Sequence, residues 1–138
     1  MTPDAPSLGC AFFNQLPYRF LTTGVAGEAV LELDVVPEIL GPNGSVHAGV
    51  TMVIADVAGA MAVASRHALG GATSNVSVHC IAPATIGPLR ATARVLKVSR
   101  NSALADVHVV DAGNDDRLVA VAHVACALFH PRPEGGPS

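Results

Sequence analysis

Residues 44–71 read GSVHAGVTMVIADVAGAMAVASRHALGG, and this stretch decides the fold. From about Val46 to Ala68 it holds no proline and is rich in Ala, Val and Met, with Gly49 and Gly59 inside. It is the only long helical stretch in the sequence. Apolar residues stand on both faces, so the helix is expected to be buried nearly all round. Its small residues predict close backbone approach from several sides. Gly70-Gly71 closes it, as suits a helix C-terminus.

Outward from the helix the chain is patterned as strands. In Glu28–Val36, the residues Ala29, Leu31, Leu33 and Val35 alternate with Val30, Glu32, Asp34 and Val36, the period of a strand. Pro37 and then Gly41-Pro42-Asn43-Gly44 end it in a turn. Upstream, residues 8–16 predict a short helix with Phe12, Phe13 and Leu16 on its apolar side, and a first strand lies near Tyr18–Thr23. Downstream come Thr73–Ala82, Leu89–Val98, Ala103–Asp111 and Leu118–Phe129. They are separated by turns at Pro83 to Pro88, Ser99–Asn101 and Ala112–Asp116. Short connections imply antiparallel neighbours. One buried helix covered by one curved antiparallel sheet of five to six strands is an α+β layer arrangement. No internal repeat is visible. The 138 residues suit one domain: an N-terminal segment over 1–15, the domain over 16–130 and a disordered tail over 131–138.

Half of the residues are hydrophobic and only 14 % are charged, which is low for a soluble monomer. Surface that would carry charge is expected to be buried against another copy of the chain. The net charge of −3, with 8 Lys and Arg and no basic run, argues against nucleic acid. The opening MTPDAPSLGC has no basic region followed by an apolar one, so no signal peptide is expected. Asp56 in the middle of the apolar helix argues against a membrane span. Cys10, Cys80 and Cys126 match no metal or redox spacing and are expected to be inert core thiols of a cytoplasmic protein.

Asp56 is the sharpest chemical feature. It stands in MVIADVAGAM with no cation within a helical turn on either side. Burying an unpaired carboxylate is costly, so a general base or nucleophile is a better reading than a packing residue. The helix start, Gly44-Ser45-Val46-His47-Ala48-Gly49, is the second feature. Free N–H groups there stabilise negative charge and could form an oxyanion hole for an acyl carbonyl. Ala48 and Asp56 are eight residues apart, roughly 12 Å along a helix. One reacting carbonyl cannot touch both, since reacting atoms must lie about 3 Å apart. If both act on one substrate, they come from the helices of two subunits, side by side and antiparallel in a two-fold dimer.

These residues resemble the PaaI-like branch of the hotdog-fold thioesterases. The branch carries roughly N-x-x-G-x-x-H-G-G, with a catalytic Asp seven residues on; here Gly44, His47 and Gly49 stand with Asp56 at the matching spacing. Ile81-Ala82-Pro83-Ala84-Thr85-Ile86-Gly87 and Leu118-Val119-Ala120 are similar to later family segments. The likeness covers roughly residues 25–130. It implies a hotdog fold, homodimers that pair further into homotetramers, and hydrolysis of acyl-CoA thioesters. Coenzyme A is then part of the substrate, and no metal or other cofactor takes part.

By position the resemblance makes Asp56 the base or nucleophile, and gives the amides of Ala48 and Gly49 to the thioester carbonyl. Thr73 falls where relatives place a Ser or Thr that positions water, with Ser74 as the substitute one register on. His47 would orient the carbonyl, Asn43 would contact substrate, and Arg100 would lie near the CoA phosphates. Two departures stand out: Ala48 replaces a glycine, and Gly41 occupies the motif's Asn position, with Asn43 two residues late.

His79, His108 and His123 share no metal-ligand spacing, and His67 and His130 read as surface residues. Arg66, Arg90 and Arg94 are weaker anion-binding candidates than Arg100. No G-x-S-x-G or glycine-rich phosphate loop is present. The rival to an enzyme is a hotdog protein that binds acyl-CoA without turnover. A hydratase of the same fold would need a paired Asp and His that the sequence does not offer.

Overall fold

Gly59 sets how closely the long helix meets the sheet. A Cβ placed on it would lie 2.6 Å from Val124, so only glycine admits this approach. The computed structural model describes residues 9–133. In chain order it has α1 (Ala11–Asn14), β1 (Tyr18–Leu21), β2 (Glu28–Leu33) and a 3-10 turn (Pro37–Ile39). Then come α2 (Ala48–Arg66), β3 (Gly71–Cys80), β4 (Leu89–Val98), β5 (Ser102–Asp111) and β6 (Arg117–Leu128). The six strands form one antiparallel sheet in the order β1-β2-β4-β5-β6-β3, and α2 packs across it.

The alternation read along the chain decides which side chains meet the helix. Leu89, Ala91, Ala93 and Val95 of β4, Ala103, Ala105, Val107 and Val109 of β5, and Ala122, Val124 and Cys126 of β6 are buried. Most are Ala or Val, so the floor beneath α2 is shallow. From the helix, Ile54, Ala55, Ala58, Ala62 and Val63 fill it. Burying a side chain of the Val or Leu class is worth about 1.5–3 kcal/mol, so this shared face is the main source of stability. On the outer face, Arg19 and Arg90 both bond Glu32, at 3.0 and 3.1 Å.

Several expectations need correction. The helix is not buried all round: in the single chain Met52 is exposed and Val53, Asp56, Val57 and Ala60 are only part-buried. The two helices, β1 and β2 end up to three residues inside the expected bounds, whereas β3 lies two residues earlier than expected and β5 and β6 each begin one residue earlier. The 3-10 turn at Pro37 takes up the end of the Glu28–Val36 segment. The short connection from β3 to β4 does not join neighbours. It crosses the end of the sheet, so that β3 pairs β6 and becomes an edge strand. Cys126 is buried, but Cys10 and Cys80 are exposed. The first eight residues and residues 134–138, most of the expected tail, lie outside the described part.

Candidate active site

The edge strand β3 runs beside one flank of α2, and that contact builds the first half of the site. Its register against β6 shifts between Thr73 and Asn75, which leaves Ser74 as a bulged extra residue. The bulge puts Thr73 on the same side as Val76 and Val78, the side facing α2. Thr73 Oγ1 donates a 2.7 Å hydrogen bond to Asp56 Oδ1. Ser74 turns the other way, and its hydroxyl donates to the Ala125 carbonyl at 3.2 Å.

Asp56 is therefore not left without a partner, although none of the ion pairs of the described residues includes it. Beside it a cavity of about 430 Å³, lined by Met52, Val53, Asp56, Val76 and Val78, opens at the sheet edge. Cys126 pairs with Thr73 in the register. Burial pushes its thiol pKa up; the Thr73 hydrogen bond pulls it down, and the nearby Asp56 charge raises it further.

The second half lies at the start of α2. A bridge between Leu40 and Val46 closes the Gly41–Ser45 loop, tightened by the Gly41 N–H to Ser45 carbonyl bond at 2.7 Å. Asn43 sits in the turn of this loop, and Gly44 takes the positive φ. His47 is the N-cap: its Nδ1 accepts the Gly49 amide at 2.9 Å. An accepting Nδ1 leaves the ring proton of neutral His47 on Nε2. The Gly49 amide is thus already engaged, and the Ala48 amide, with no acceptor among the described residues, is the free donor. A cavity of about 460 Å³ opens here, lined by Asn43, His47, Ala48, Thr51, Cys80 and Pro83 among others, within the range of small-ligand sites.

The sequence-derived candidates thus fall into two groups. Asp56 and Thr73 are in contact; Asn43, His47, Ala48 and Gly49 are together at the helix start. The chain does not bring the two groups into one cavity. Arg100 is exposed in the β4–β5 turn and lines neither cavity. Arg90 is committed to Glu32 and Asp116. His108 and His123 both reach Asp106 on the sheet, at 3.2 and 3.5 Å. Among the described residues no three His, Cys, Asp or Glu side chains are grouped as metal ligands.

Sequence reasoning missed Asp111. It is fully buried, and its carboxylate accepts three amides: Thr85 and Ile86 at 3.1 Å and Gly87 at 2.7 Å. The signal was available, because Ala103, Ala105, Val107 and Val109 alternate inward and position 111 continues that parity.

One long helix wrapped by a curved six-stranded antiparallel sheet is the hotdog fold. The thioesterase superfamily model matches residues 43–120, and the chain belongs to that superfamily. Its PaaI-like character is seen in the solved structures it resembles. A variant of the phenylacetic acid degradation protein PaaI from Thermus thermophilus is 27 % identical. It covers 86 % of this chain and 98 % of its own, with a TM-score of 0.76. The Escherichia coli PaaI protein, at 24 % identity, covers 88 % and 86 % with a TM-score of 0.79. A Streptococcus mutans protein bound to acetyl CoA shares the fold at 19 % identity, covering 84 % and 91 % with a TM-score of 0.75. None of the curated proteins matches the sequence.

Proposed function

We propose that this protein hydrolyses acyl-CoA thioesters to free acid and CoA. The carrying observation is the Asp56–Thr73 pair at the mouth of an apolar cavity. A half-buried carboxylate, aligned by a hydroxyl and free of cations, is suited to take a proton from water or to attack a carbonyl directly. The free Ala48 amide at a helix N-terminus is suited to the developing oxyanion. Membership of the thioesterase superfamily supports the reaction class. At the level of fold, the acetyl-CoA complex of the Streptococcus mutans protein supports the CoA ester.

The working unit on this reading is a homodimer, pairing further to a homotetramer, in the cytoplasm and without metal or redox cofactor. The roughly 12 Å of helix between Ala48 and Asp56 keeps one chain from using both on one carbonyl. Antiparallel pairing of two β3 edges would set Asp56 of one copy beside the helix start of the other. It would also cover Met52 and the open flank of α2.

Mixed dimers test both the reaction and its geometry. Asp56→Asn removes the carboxylate. Ala48→Pro removes the amide at the first helical position, where proline is tolerated; His47, at ψ 134°, already has the extended backbone that proline asks of its predecessor. Thiol release from a panel of short, long and aryl acyl-CoAs is expected for wild type and lost in each variant alone. Co-refolding the two should restore roughly a quarter of the sites if each site spans two chains. No restoration would mean that both groups act within one chain. Ligand binding with no turnover in wild type would favour the non-catalytic acyl-CoA-binding alternative.

A further inference from the structure

We propose that Asp111 is a positioning residue for the oxyanion side of the site, and the proposal rests on the thioesterase reading above. A buried carboxylate is costly unless hydrogen-bond donors surround it. At 0 % exposure Asp111 needs donors, and it takes three from the backbone of one short loop. Those amides belong to Thr85, Ile86 and Gly87. The residue just before them, Ala84, is 2 % exposed, and its carbonyl accepts the Val46 amide at 2.8 Å. His47 is tied from the opposite side, its amide donating to the Ile39 carbonyl at 2.9 Å. Ala48, with its free amide, comes next.

The chain of contacts is therefore Asp111, the 84–87 loop, Val46, and the start of α2. The first residue of that loop, Ala84, lines the helix-start cavity together with Ala82 and Pro83 just before it. Packing holds the loop from the far side as well: a Cβ on Gly113 would collide with the Gly87 carbonyl oxygen. Asp111 is fully buried and lines neither cavity. It fixes the height of the loop, and the loop fixes where the Ala48 amide points. An amide displaced by about 1 Å can cost on the order of 100-fold in rate.

The test compares wild type, Asp111→Asn and Asp111→Ala as full-length proteins, at a temperature where each stays folded by circular dichroism. The expected result is a graded fall in kcat, about 10-fold to 100-fold at alanine, with KM little changed. Asparagine keeps one acceptor oxygen and should recover part of the loss. Unchanged kcat in folded variants that merely melt earlier would overturn the proposal. Amide exchange in wild type gives an answer even if neither variant folds. The Val46 amide is expected to open together with those of Thr85, Ile86 and Gly87, as one unit. Independent opening of Val46 would overturn the link. If wild type releases no thiol from any acyl-CoA, the enzymatic reading falls by itself, and the exchange data still decide whether Asp111 governs the helix start.

Discussion

Thr73 Oγ1 and Asp56 Oδ1, 17 residues apart in the chain, meet at 2.7 Å because a bulge at Ser74 turns Thr73 toward the helix. Hydrogen bonds to charged groups contribute about 1.5–3 kcal/mol, enough to hold one carboxylate rotamer. Thr73→Val is therefore expected to lower turnover about tenfold or more, with the fold unchanged. Ser74→Ala should have little effect, since that hydroxyl only reaches the Ala125 carbonyl. Steady-state kinetics of both variants check this. Equal losses would mean that the bulge does not select between the two hydroxyls.

Asp56→Asn keeps the shape and the Thr73 contact but removes the carboxylate proposed to act as base or nucleophile. Turnover should fall by about 10²–10⁴-fold, the usual contribution of a positioned general base. Melting temperature should stay close to wild type. Residual turnover near the wild-type level would move the chemistry elsewhere.

Gly59→Ala asks Val124 to move, because the new methyl would sit 2.6 Å from its Cβ. Overpacking of this kind costs about 1–3 kcal/mol. Denaturant titration should show a lower midpoint with an unchanged slope. A neutral result would mean that α2 can ride up on the sheet without penalty.

Cys126 supplies a pH dependence. Burial holds its thiol above the ordinary value of 9.0, with the Asp56 charge adding to the effect and Thr73 opposing it. A group raised on folding contributes its full stability below the unfolded pKa. That contribution is lost as pH rises through the folded one. Wild type should therefore lose stability above about pH 9 faster than Cys126→Ala. In alkylation followed by mass spectrometry, Cys126 should stay unmodified until the chain unfolds.

Much of the fold was legible because two periods were clean. The proline-free run ending at Gly70-Gly71 marked α2, and alternation marked β4, β5 and β6 to within one residue. Alternation failed at β3, where counting back from Val76 puts Ser74 on the helix face. The bulge that gives the place to Thr73 leaves no period in the sequence. The crossing of β3 to the far edge was equally hidden, because connection length alone does not say which strand is the neighbour. The half-open flank of α2 was misread for a different reason. Apolar composition reports that a surface will be covered, not whether the same chain covers it. Asp56 and the helix start stand out in the sequence because a lone carboxylate in an apolar helix is costly and a helix start is a fixed electrostatic feature.

The three amides held by Asp111 place an unusual constraint on variation. Every bond it accepts comes from main chain, so the side chains of Thr85 and Ile86 could drift without loosening the grip. Position 111 itself has no comparable freedom. A search for compensating substitutions would find no partner for it, and the constraint would show only as an isolated intolerance at the end of β5, outside both cavities.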